Sequence, residues 1–533
     1  MTKFELCNTN FTLLTRCFPG SFSVVFRSGL CYNAGMKLYF DGHEYRYAAE
    51  QMLATLFPGE KPEYPEPAAP EGRRVELRLH RAPQRTTASC LYHDGQQAFR
   101  GFASVPTGAL TSSVRTDSLC QQALKLAMYR AVLRSGHPKP PWGALTGVRP
   151  GKLLSPLLAS GLSDRQALRR FERDYDVSHE RGLLCLDASR MTLQADAALG
   201  PKDVCLYIGI PFCPTRCAYC SFVSQATGSS SPQIPPFLTA LRLELSAVAE
   251  QVRNAGLRVV SIYMGGGTPT TLSARQLDEL FLHLERETDL SALREWTVEA
   301  GRPDTITREK LLVLRRHGVD RISVNPQTMS DPVLEAIGRK HTAADILEAL
   351  KLVRETGGFA VNMDLIAGLP ADSTEGFRRT VDAVLALEPE NITVHTLSIK
   401  RGARLTFGEE SLPSGEAVAA MLEDANEKLR SADYRPYYLY RQKNMSGGFE
   451  NVGWTRPGYE NFYNIAIMEE LCSILAVGAG GSTKLIRRDG GKNIRLVSPK
   501  YPKEYIEAID RICKDKEAIG DFYRQLPEAA AIV

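Results

Sequence analysis

The sequence predicts an α/β protein: an open, partial barrel of six β/α units, preceded by a separate N-terminal α/β domain. Three observations lead to this fold class. From residue 204 onward, apolar β-branched segments alternate with segments of helical period. Residues 36–195 show a strand, a hairpin and then helices, without that alternation. At 533 residues the chain is long enough for two or three domains.

The first 35 residues differ in pattern from the rest of the chain. They carry three of the twelve cysteines and no sustained period of either kind. We therefore expect Met36 to be the natural start, and residues 1–35 to be a loosely ordered upstream extension. An added strand of the first domain is the alternative.

The N-terminal domain is expected to span residues 36–195. The segment MKLYFDGHEYRYAAEQMLATLFP, which begins at Met36, predicts a strand, a turn at Asp41-Gly42 and an amphipathic helix. A hairpin turning at Asp94-Gly95 comes next, and helical patterns extend from about 114 to 195. No catalytic constellation is apparent in this domain.

The predicted core at 196–490 contains six strands linked by five helices, followed by a C-terminal helical tail at 491–533. Chemistry on such a parallel sheet belongs at the carboxyl ends of the strands. The predicted strands are 204–210, 259–266, 295–301, 320–326, 359–368 and 391–398. The predicted helices are 236–256, 274–290, 307–317, 331–355 and 374–387.

Composition excludes several classes of function. The net charge of +4 is only weakly basic and no nucleic-acid-binding motif is visible, so we expect no nucleic-acid partner. No apolar run approaches the about 20 residues that span a bilayer, and no clean signal layout begins the chain. We therefore expect a cytoplasmic protein whose cysteines are reduced.

Three cysteines after the first core strand, in PFCPTRCAYCSF, carry the strongest chemical signal. Cys213, Cys217 and Cys220 have C-x3-C-x2-C spacing. Zinc would require a fourth protein ligand, usually from a second cysteine or histidine pair, and none lies nearby. A four-iron cluster held by three cysteines instead leaves one iron open to a cofactor. Zinc and purely structural cysteines remain the alternatives.

This spacing, with Tyr219 before the last cysteine, is similar to the signature of radical S-adenosylmethionine (SAM) enzymes. The segments YMGGGTPT, TVEAGRPD, SVNPQTMSDPVLEAIGRKH and NMDLIAGLP resemble the oxygen-independent coproporphyrinogen III oxidase family. FENVGWTRPGYENFYNIAIMEE and LTGVRP resemble its HemZ (coproporphyrinogen dehydrogenase) branch. The resemblance covers about 200–510 strongly and 36–200 at branch level. It implies a partial (β/α)6 radical SAM barrel.

The resemblance also implies the cofactors and their ligands. Cys213, Cys217 and Cys220 would bind three irons of a [4Fe-4S] cluster, and SAM would bind the fourth. One or two SAM molecules are expected, and an electron donor such as flavodoxin or ferredoxin would reduce the cluster. The implied cofactor-binding residues are Tyr207, Tyr219, Gly266, Gly267, Thr268, Glu299, Gln327, Arg339, Asp364 and Ser398.

Physical arguments accompany several of these assignments. A Cβ within GGGTPT would collide with a closely approaching ligand. The guanidinium of Arg339 can contact a carboxylate in bidentate fashion, which lysine cannot do. Asp364 lies inside an apolar strand, where a carboxylate is costly without a polar partner. The alternatives are a glycine turn without a ligand, and a surface salt bridge for Glu299.

The family's substrate is a tetrapyrrole with four propionates, so its pocket should combine cations and aromatic rings. The segment RPYYLYRQKN supplies Arg435, Arg441 and Lys443 among three tyrosines, and Lys400 and Arg401 follow the sixth strand. A strand with alternating core contacts is the alternative for that segment.

The leading hypothesis is oxygen-independent oxidative decarboxylation of coproporphyrinogen III propionates to vinyl groups, as in haem biosynthesis. Phe222 stands where the oxidases have a further cysteine, and the related haem chaperones also have phenylalanine there. YNIAIMEE, however, replaces the histidine-asparagine motif of those chaperones. The alternatives are therefore a haem-binding chaperone and a radical SAM enzyme acting on another tetrapyrrole.

Overall fold

A computed structural model describes residues 35–65, 72–106, 113–220, 225–226, 231–398, 412–442, 448–489 and 491–526. Residues 1–34 of the expected upstream extension, Phe222, Lys400, Arg401 and Lys443 lie outside these residues. The N-terminal domain is a five-stranded sheet in the order β2-β1-β3-β4-β5. Its strands are β1 (Met36–Asp41), β2 (Pro62–Glu63), β3 (Arg74–Arg81), β4 (Arg85–His93) and β5 (Ala98–Pro106).

The predicted strand–helix start and the predicted hairpin are confirmed. Helix α1 (Arg46–Leu56) follows β1, and β4 pairs antiparallel with β5. The side chain of Asp94 forms the hairpin turn by accepting hydrogen bonds from the backbone N–H groups of Gln96 and Gln97, both at 2.7 Å. Helix α2 (Ser113–Leu133) shares the apolar core of this sheet, for example through Ala127.

The helices after this domain belong to the core of the barrel. They are α3 (Gly151–Ala159), α4 (Asp164–Tyr175) and α5 (His179–Ala197). Their apolar residues, including Phe171 and Leu184, lie in the same cluster as the barrel strands. Buried Glu450 anchors this region, since it accepts a 2.7 Å hydrogen bond from Trp142 Nε1 and forms an ion pair with Arg181.

Within the described ranges, the second sheet has eleven strands and is not closed. Its order is β14-β15-β13-β12-β11-β10-β9-β6-β16-β17-β18. All six predicted strands are present, as β6 (Asp203–Ile210), β9 (Arg258–Gly266), β10 (Glu295–Glu299), β11 (Arg321–Ser323), β12 (Ala360–Ala367) and β13 (Asn391–Thr396). They pair in parallel, which confirms the predicted open α/β barrel.

The sequence prediction missed the strands that flank these six, except β14, which was the alternative given for the tyrosine-rich segment. A seventh parallel strand, β16, pairs with β6, and antiparallel pairs extend both edges. Two short strands, β7 and β8, pair with each other beside the end of β6. The additional strands are β7 (Phe212–Cys213), β8 (Gln225–Ala226), β14 (Arg435–Arg441), β15 (Glu450–Thr455), β16 (Ser473–Gly478), β17 (Ser482–Leu485) and β18 (Ile494–Val497).

Four of the five predicted crossover helices are confirmed, and the remaining one, predicted over 331–355, is two helices in the structure. The prediction of one helix over 331–355 is wrong because the chain turns at Gly338, whose φ is +73°, and restarts at a capping box formed by Thr342 and Asp345. The crossovers are α6 (Ile234–Asn254), α7 (Ala274–Glu287), α8 (Arg308–Arg316), α9 (Asp331–Ala336), α10 (Ala343–Thr356) and α11 (Thr374–Ala386).

The predicted C-terminal helical tail begins with a short strand and packs against the barrel. Strand β18 pairs with β17, and Tyr505, Ile512 and Phe522 pack in the barrel core. The remaining helices are α12 (Gly415–Ser431), α13 (Phe462–Glu469), α14 (Pro502–Glu507), α15 (Ile509–Asp515) and α16 (Glu517–Arg524). Across the described ranges, no helix combines the length and apolarity that a bilayer crossing requires.

Candidate functional site

The three cysteines lie on the loop that leaves the carboxyl end of β6. Cys213 ends the short strand β7, and the Cys217 carbonyl accepts a 3.2 Å hydrogen bond from the Cys220 backbone N–H. A further backbone bond, from Ala218 N–H to the Ile337 carbonyl at 3.0 Å, fixes the loop to the end of α9. Cys217 is buried, whereas Cys213 and Cys220 are partly exposed.

Polar groups surround two of the sulfurs. Thr268 Oγ1 donates to Cys213 Sγ at 3.4 Å, and Arg302 Nη1 lies 3.9 Å from Cys217 Sγ. Arg302 is 3% exposed and is held by Asp304 and Thr215. The Arg302 guanidinium thus places positive charge beside the sulfur of Cys217. Sequence reasoning missed Arg302, although it follows the third strand within TVEAGRPD, at the edge where ligands bind.

The donor chemistry of the loop suits a four-iron cluster, because each of three thiolates would bind a different iron and the fourth iron would stay open to a cofactor. Among the residues that the structure describes, no three acidic, thiol or imidazole side chains converge closely enough to hold one metal ion.

The glycine-rich end of β9 packs closely against this loop. A Cβ added to Gly267 would lie 2.5 Å from the Phe212 carbonyl oxygen and 3.0 Å from Cys213 Sγ. Gly266 has a φ of +107°, in the region that favours glycine. These two positions therefore allow a ligand and the cysteine loop to approach the same backbone.

Two carboxylates face the same space from neighbouring strand ends. Glu299 accepts a 2.7 Å hydrogen bond from Tyr263, and burial raises its pKa to about 7. Burial also acts to raise the pKa of Asp364, but the nearby His395 imidazole and a 2.8 Å hydrogen bond from Asn362 outweigh it and hold the pKa below its usual value. The two acids are thus poised differently at pH 7.

Gln327 and Arg339 flank the carboxylates. Gln327 adopts a φ of +67°, an uncommon conformation for this residue, and its backbone bridges to β12 next to Asp364. Arg339 donates to the Asn325 carbonyl at 2.7 Å and to the Tyr219 hydroxyl at 3.1 Å. Its Nε is buried and has no hydrogen-bond partner among the described residues.

These groups surround one cavity of about 550 Å³. Eight of the ten predicted cofactor-binding residues line it, together with Cys220: Tyr207, Tyr219, Gly266, Gly267, Glu299, Gln327, Asp364 and Ser398. The Ser398 hydroxyl is buried without a partner in the described part of the chain. Thr268 and Arg339 are not among the lining residues and contact Cys213 and Tyr219 instead. Their contacts with the cofactor therefore stay predictions.

Part of the cavity lining is aromatic, and its members Tyr263, Tyr463 and His395 were not predicted from the sequence. Tyr207, Tyr263 and Tyr463 form a stack whose ring centroids are 4.5 to 6.4 Å apart. Tyr438 and Tyr440 add two nearly parallel rings from β14. His395 on β13 also lines the cavity, with Nε2 3.8 Å from Asp364 Oδ2. The tyrosine-rich segment is thus a strand and also a cavity wall.

The arginines of that strand do not serve the cavity as expected. Arg441 contacts the Gly448 and Leu145 carbonyls and the face of Trp142, and burial lowers its pKa to about 10. Arg435 is solvent-exposed and lies 3.5 Å from Asp433. Neither side chain lines the cavity: Arg435 begins the strand, and Arg441 lies on the strand face opposite to that of its neighbours Tyr440 and Gln442, which do line it.

Comparisons with known proteins agree with this geometry. The Radical SAM superfamily profile matches residues 207–384. The chain is 43% identical over 380 residues to the "oxygen-independent coproporphyrinogen-III oxidase-like protein HemZ" of Bacillus subtilis, covering 70% of this chain and 76% of that protein. It is 29% identical to the heme chaperone HemW of Haemophilus influenzae, covering 56% and 75% respectively. Among solved structures, coproporphyrinogen III oxidase (HemN) from Escherichia coli matches with a TM-score of 0.49 and 24% identity, covering 61% of this chain and 72% of that one.

Proposed function

The chain belongs to the radical SAM superfamily and, within it, to the HemZ-like coproporphyrinogen-III oxidase family, and we propose that it decarboxylates coproporphyrinogen III. Each turnover would remove a hydrogen atom, carbon dioxide and one electron from a propionate and leave a vinyl group. An external acceptor takes the electron. Two such turnovers lead towards protoporphyrinogen IX.

One observation carries the proposal. One cavity is lined by the three-cysteine loop, the glycine-rich end of β9, two carboxylates and several tyrosines. The cavity lining combines polar groups, which suit a small charged cofactor, with stacked aromatic rings, which suit a large flat apolar ring system. A substrate bound against the rings would lie next to the cofactor.

Different residues would serve the cluster and SAM. Cys213, Cys217 and Cys220 hold the [4Fe-4S] cluster, and the backbone of Gly266 and Gly267 receives the methionyl end of SAM. Glu299, Gln327, Asp364 and Ser398 supply hydrogen bonds to its polar groups. Tyr207 and Tyr219 close the space beside the cluster, and Arg339 supports Tyr219 and offers its free Nε.

When bound and reduced, the cluster and SAM supply the 5′-deoxyadenosyl radical that takes hydrogen from an unactivated carbon. The protein's own contribution is to orient the substrate and to exclude water. Buried walls around the cavity, among them Tyr438 at 5% exposure, hold a reactive carbon away from solvent.

The direct test is an anaerobic assay of reconstituted protein with dithionite, SAM and coproporphyrinogen III, followed by mass spectrometry. We expect loss of one or two carboxyl groups together with formation of 5′-deoxyadenosine. Deoxyadenosine with unchanged porphyrinogen would overturn the decarboxylation and favour haem handling or another tetrapyrrole substrate.

Arg339→Ala should weaken SAM binding by about ten- to hundredfold while leaving the cluster intact. The change removes the free Nε donor and the support of Tyr219, and hydrogen bonds to charged groups contribute about 1.5 to 3 kcal/mol. The measurement is SAM titration by calorimetry, with cluster absorption as the integrity check. Arg354→Ala, which removes an ion pair with Glu390 at the protein surface, is the matched control. An unchanged SAM affinity would contradict the assignment.

Glu299→Gln should weaken SAM binding yet stabilise the protein without cofactor at pH 8. Burial raises the pKa of Glu299 to about 7, so the folded protein takes up a proton between about pH 4.5 and pH 7 that the unfolded chain lacks. The carboxyl's contribution to stability is therefore full below that window and is lost as pH rises through it. Glutamine removes this loss, and we expect a gain of about 1 to 3 kcal/mol at pH 8.

Thermal unfolding of the SAM-free protein at pH 5 and pH 8 would check this. At pH 5 the two proteins should unfold at nearly the same temperature. Glu279→Gln, on an exposed face of α7 beside Arg275, should show no such pH-dependent gain. A variant that is less stable than wild type at pH 8 would show that the carboxylate is not strained.

A further inference from the structure

The described wall of the cavity offers no positive side chain to a polycarboxylate. None of the described residues that line it is lysine or arginine, whereas Glu299 and Asp364 are acidic. A tetrapyrrole of the proposed class carries four carboxylates. Burying a carboxylate without a cation is costly, so these groups need positive charge at the edge of the cavity.

Cations from two distant parts of the chain meet at one place. Arg149 Nη1 lies 2.6 Å from Glu470 Oε1, and Lys152 and Lys484 also contact the Glu470 carboxylate. Arg149 and Lys152 belong to the Gly-Val-Arg-Pro-Gly-Lys segment before and within α3, and Lys484 lies on β17. We call Arg149, Lys152 and Lys484 the basic cluster.

The basic cluster lies at the edge of the cavity. Ser482 lines the cavity and stands two residues before Lys484, on the same face of β17. Met468 lines it from α13, directly before the acidic pair that includes Glu470. On the N-terminal side, the Val148 carbonyl accepts a 2.8 Å hydrogen bond from the backbone N–H of Arg441, whose two chain neighbours both line the cavity.

Positive charge exceeds negative charge there. Arg495 stands directly opposite Lys484 across the antiparallel β17–β18 pair, and like charges so placed are destabilising. Burial, then repulsion by Arg149, Arg495 and Lys152, lowers the pKa of Lys484 to about 8. The Ser482 hydroxyl is buried without a partner among the described residues. An anionic group at this edge would relieve the repulsion and satisfy the hydroxyl.

We propose that the basic cluster binds carboxylate groups of the tetrapyrrole, which makes the Gly-Val-Arg-Pro-Gly-Lys segment part of the substrate site. This inference rests on the proposed function. It gives the N-terminal region a role in substrate recognition and predicts a preference for tetrapyrroles with more carboxylates. The competing explanation is a structural latch, in which the same ion pairs only join α3 to β17.

The test is fluorescence titration of the full-length protein with coproporphyrin III, which has four carboxylates, and with deuteroporphyrin, which has two. We expect Arg149→Gln and Lys484→Gln each to weaken coproporphyrin binding about tenfold or more, with a smaller effect on deuteroporphyrin. Lys152→Gln, whose side chain is 42% exposed, tests the cluster with little risk to folding. Arg435→Gln, at the far end of β14, is the control and should bind like wild type.

Two outcomes would overturn the inference alone. If Arg149→Gln, Lys152→Gln and Lys484→Gln all bind coproporphyrin with the affinity of the wild type, the basic cluster is not part of the substrate site. Equal losses for both porphyrins, accompanied by a lower melting temperature, would establish the structural latch. A wild-type protein that binds neither porphyrin would overturn the proposed function as well.

Discussion

We expect Cys217→Ala to abolish both the visible absorption of the cluster and all cleavage of SAM. Cys217 is the most buried of the three loop cysteines, with 8% exposure, and Arg302 lies next to its sulfur. A cluster held by only three thiolates has no protein ligand to replace a missing one. Absorption spectra after anaerobic reconstitution and chromatography of 5′-deoxyadenosine measure the two losses.

The matched control is Cys513→Ala. Cys513 is partly exposed on α15, outside the cysteine loop, so its variant should keep both the absorption and the cleavage activity. Loss of both properties in the control as well would indicate general damage to the protein. Retention of both in Cys217→Ala would show that Cys217 is not a ligand.

The sequence was sufficient to predict the alternating part of the fold. Parallel strands buried on both faces are continuous apolar runs, and β6, β9 and β12 were therefore visible as strands. The flanking strands were harder to predict. The segment SILAVG of β16 is equally apolar, but the sequence before it shows no amphipathic helical period that would mark a further β/α unit. Its pairing with β6, which lies far away in the chain, could therefore not be predicted from the local pattern.

The candidate site, like the fold, has a part that the sequence predicted and a part that it did not. Residues within a recognisable motif, such as Gly266 and Glu299, could be predicted because each motif follows a strand end. The basic cluster could not be predicted, because Arg149 and Lys484 are 335 positions apart by their numbers and meet only through tertiary packing. Arg441 failed as a substrate-binding candidate for the complementary reason. The local sequence places Arg441 beside tyrosines that line the cavity, but it does not show to which side of the strand the arginine side chain points.

The strongest effect on stability is expected from a buried ion pair that joins the C-terminal residues to the barrel. Glu244 on α6 is fully buried, and its Oε1 lies 2.8 Å from Lys516 Nζ. Its other oxygen accepts hydrogen bonds from the Tyr505 hydroxyl at 2.5 Å and from the Gly478 backbone N–H at 2.7 Å. Gly478 ends β16, so this carboxylate links a crossover helix, a central strand and the chain's last helices.

Lys516→Met should destabilise the protein by about 3 to 5 kcal/mol, because it leaves Glu244 as an uncompensated buried charge. Adding Glu244→Gln should recover most of the loss, since glutamine is neutral and can still accept from Tyr505 and Gly478. Urea unfolding followed by circular dichroism measures both. Lys503→Met, which removes only an exposed ion pair with Glu507, should change stability by less than about 1 kcal/mol.

The double variant makes this prediction decisive for the domain organisation. If residues 491–526 formed a separate tail, Lys516→Met would loosen only that segment, and the main unfolding transition would keep its urea midpoint. Because β18 extends the sheet and Lys516 also donates to the Ala476 carbonyl of β16 at 2.7 Å, we expect the main transition itself to move. A midpoint restored by Glu244→Gln would then show that the unpaired charge, rather than lost packing, caused the change.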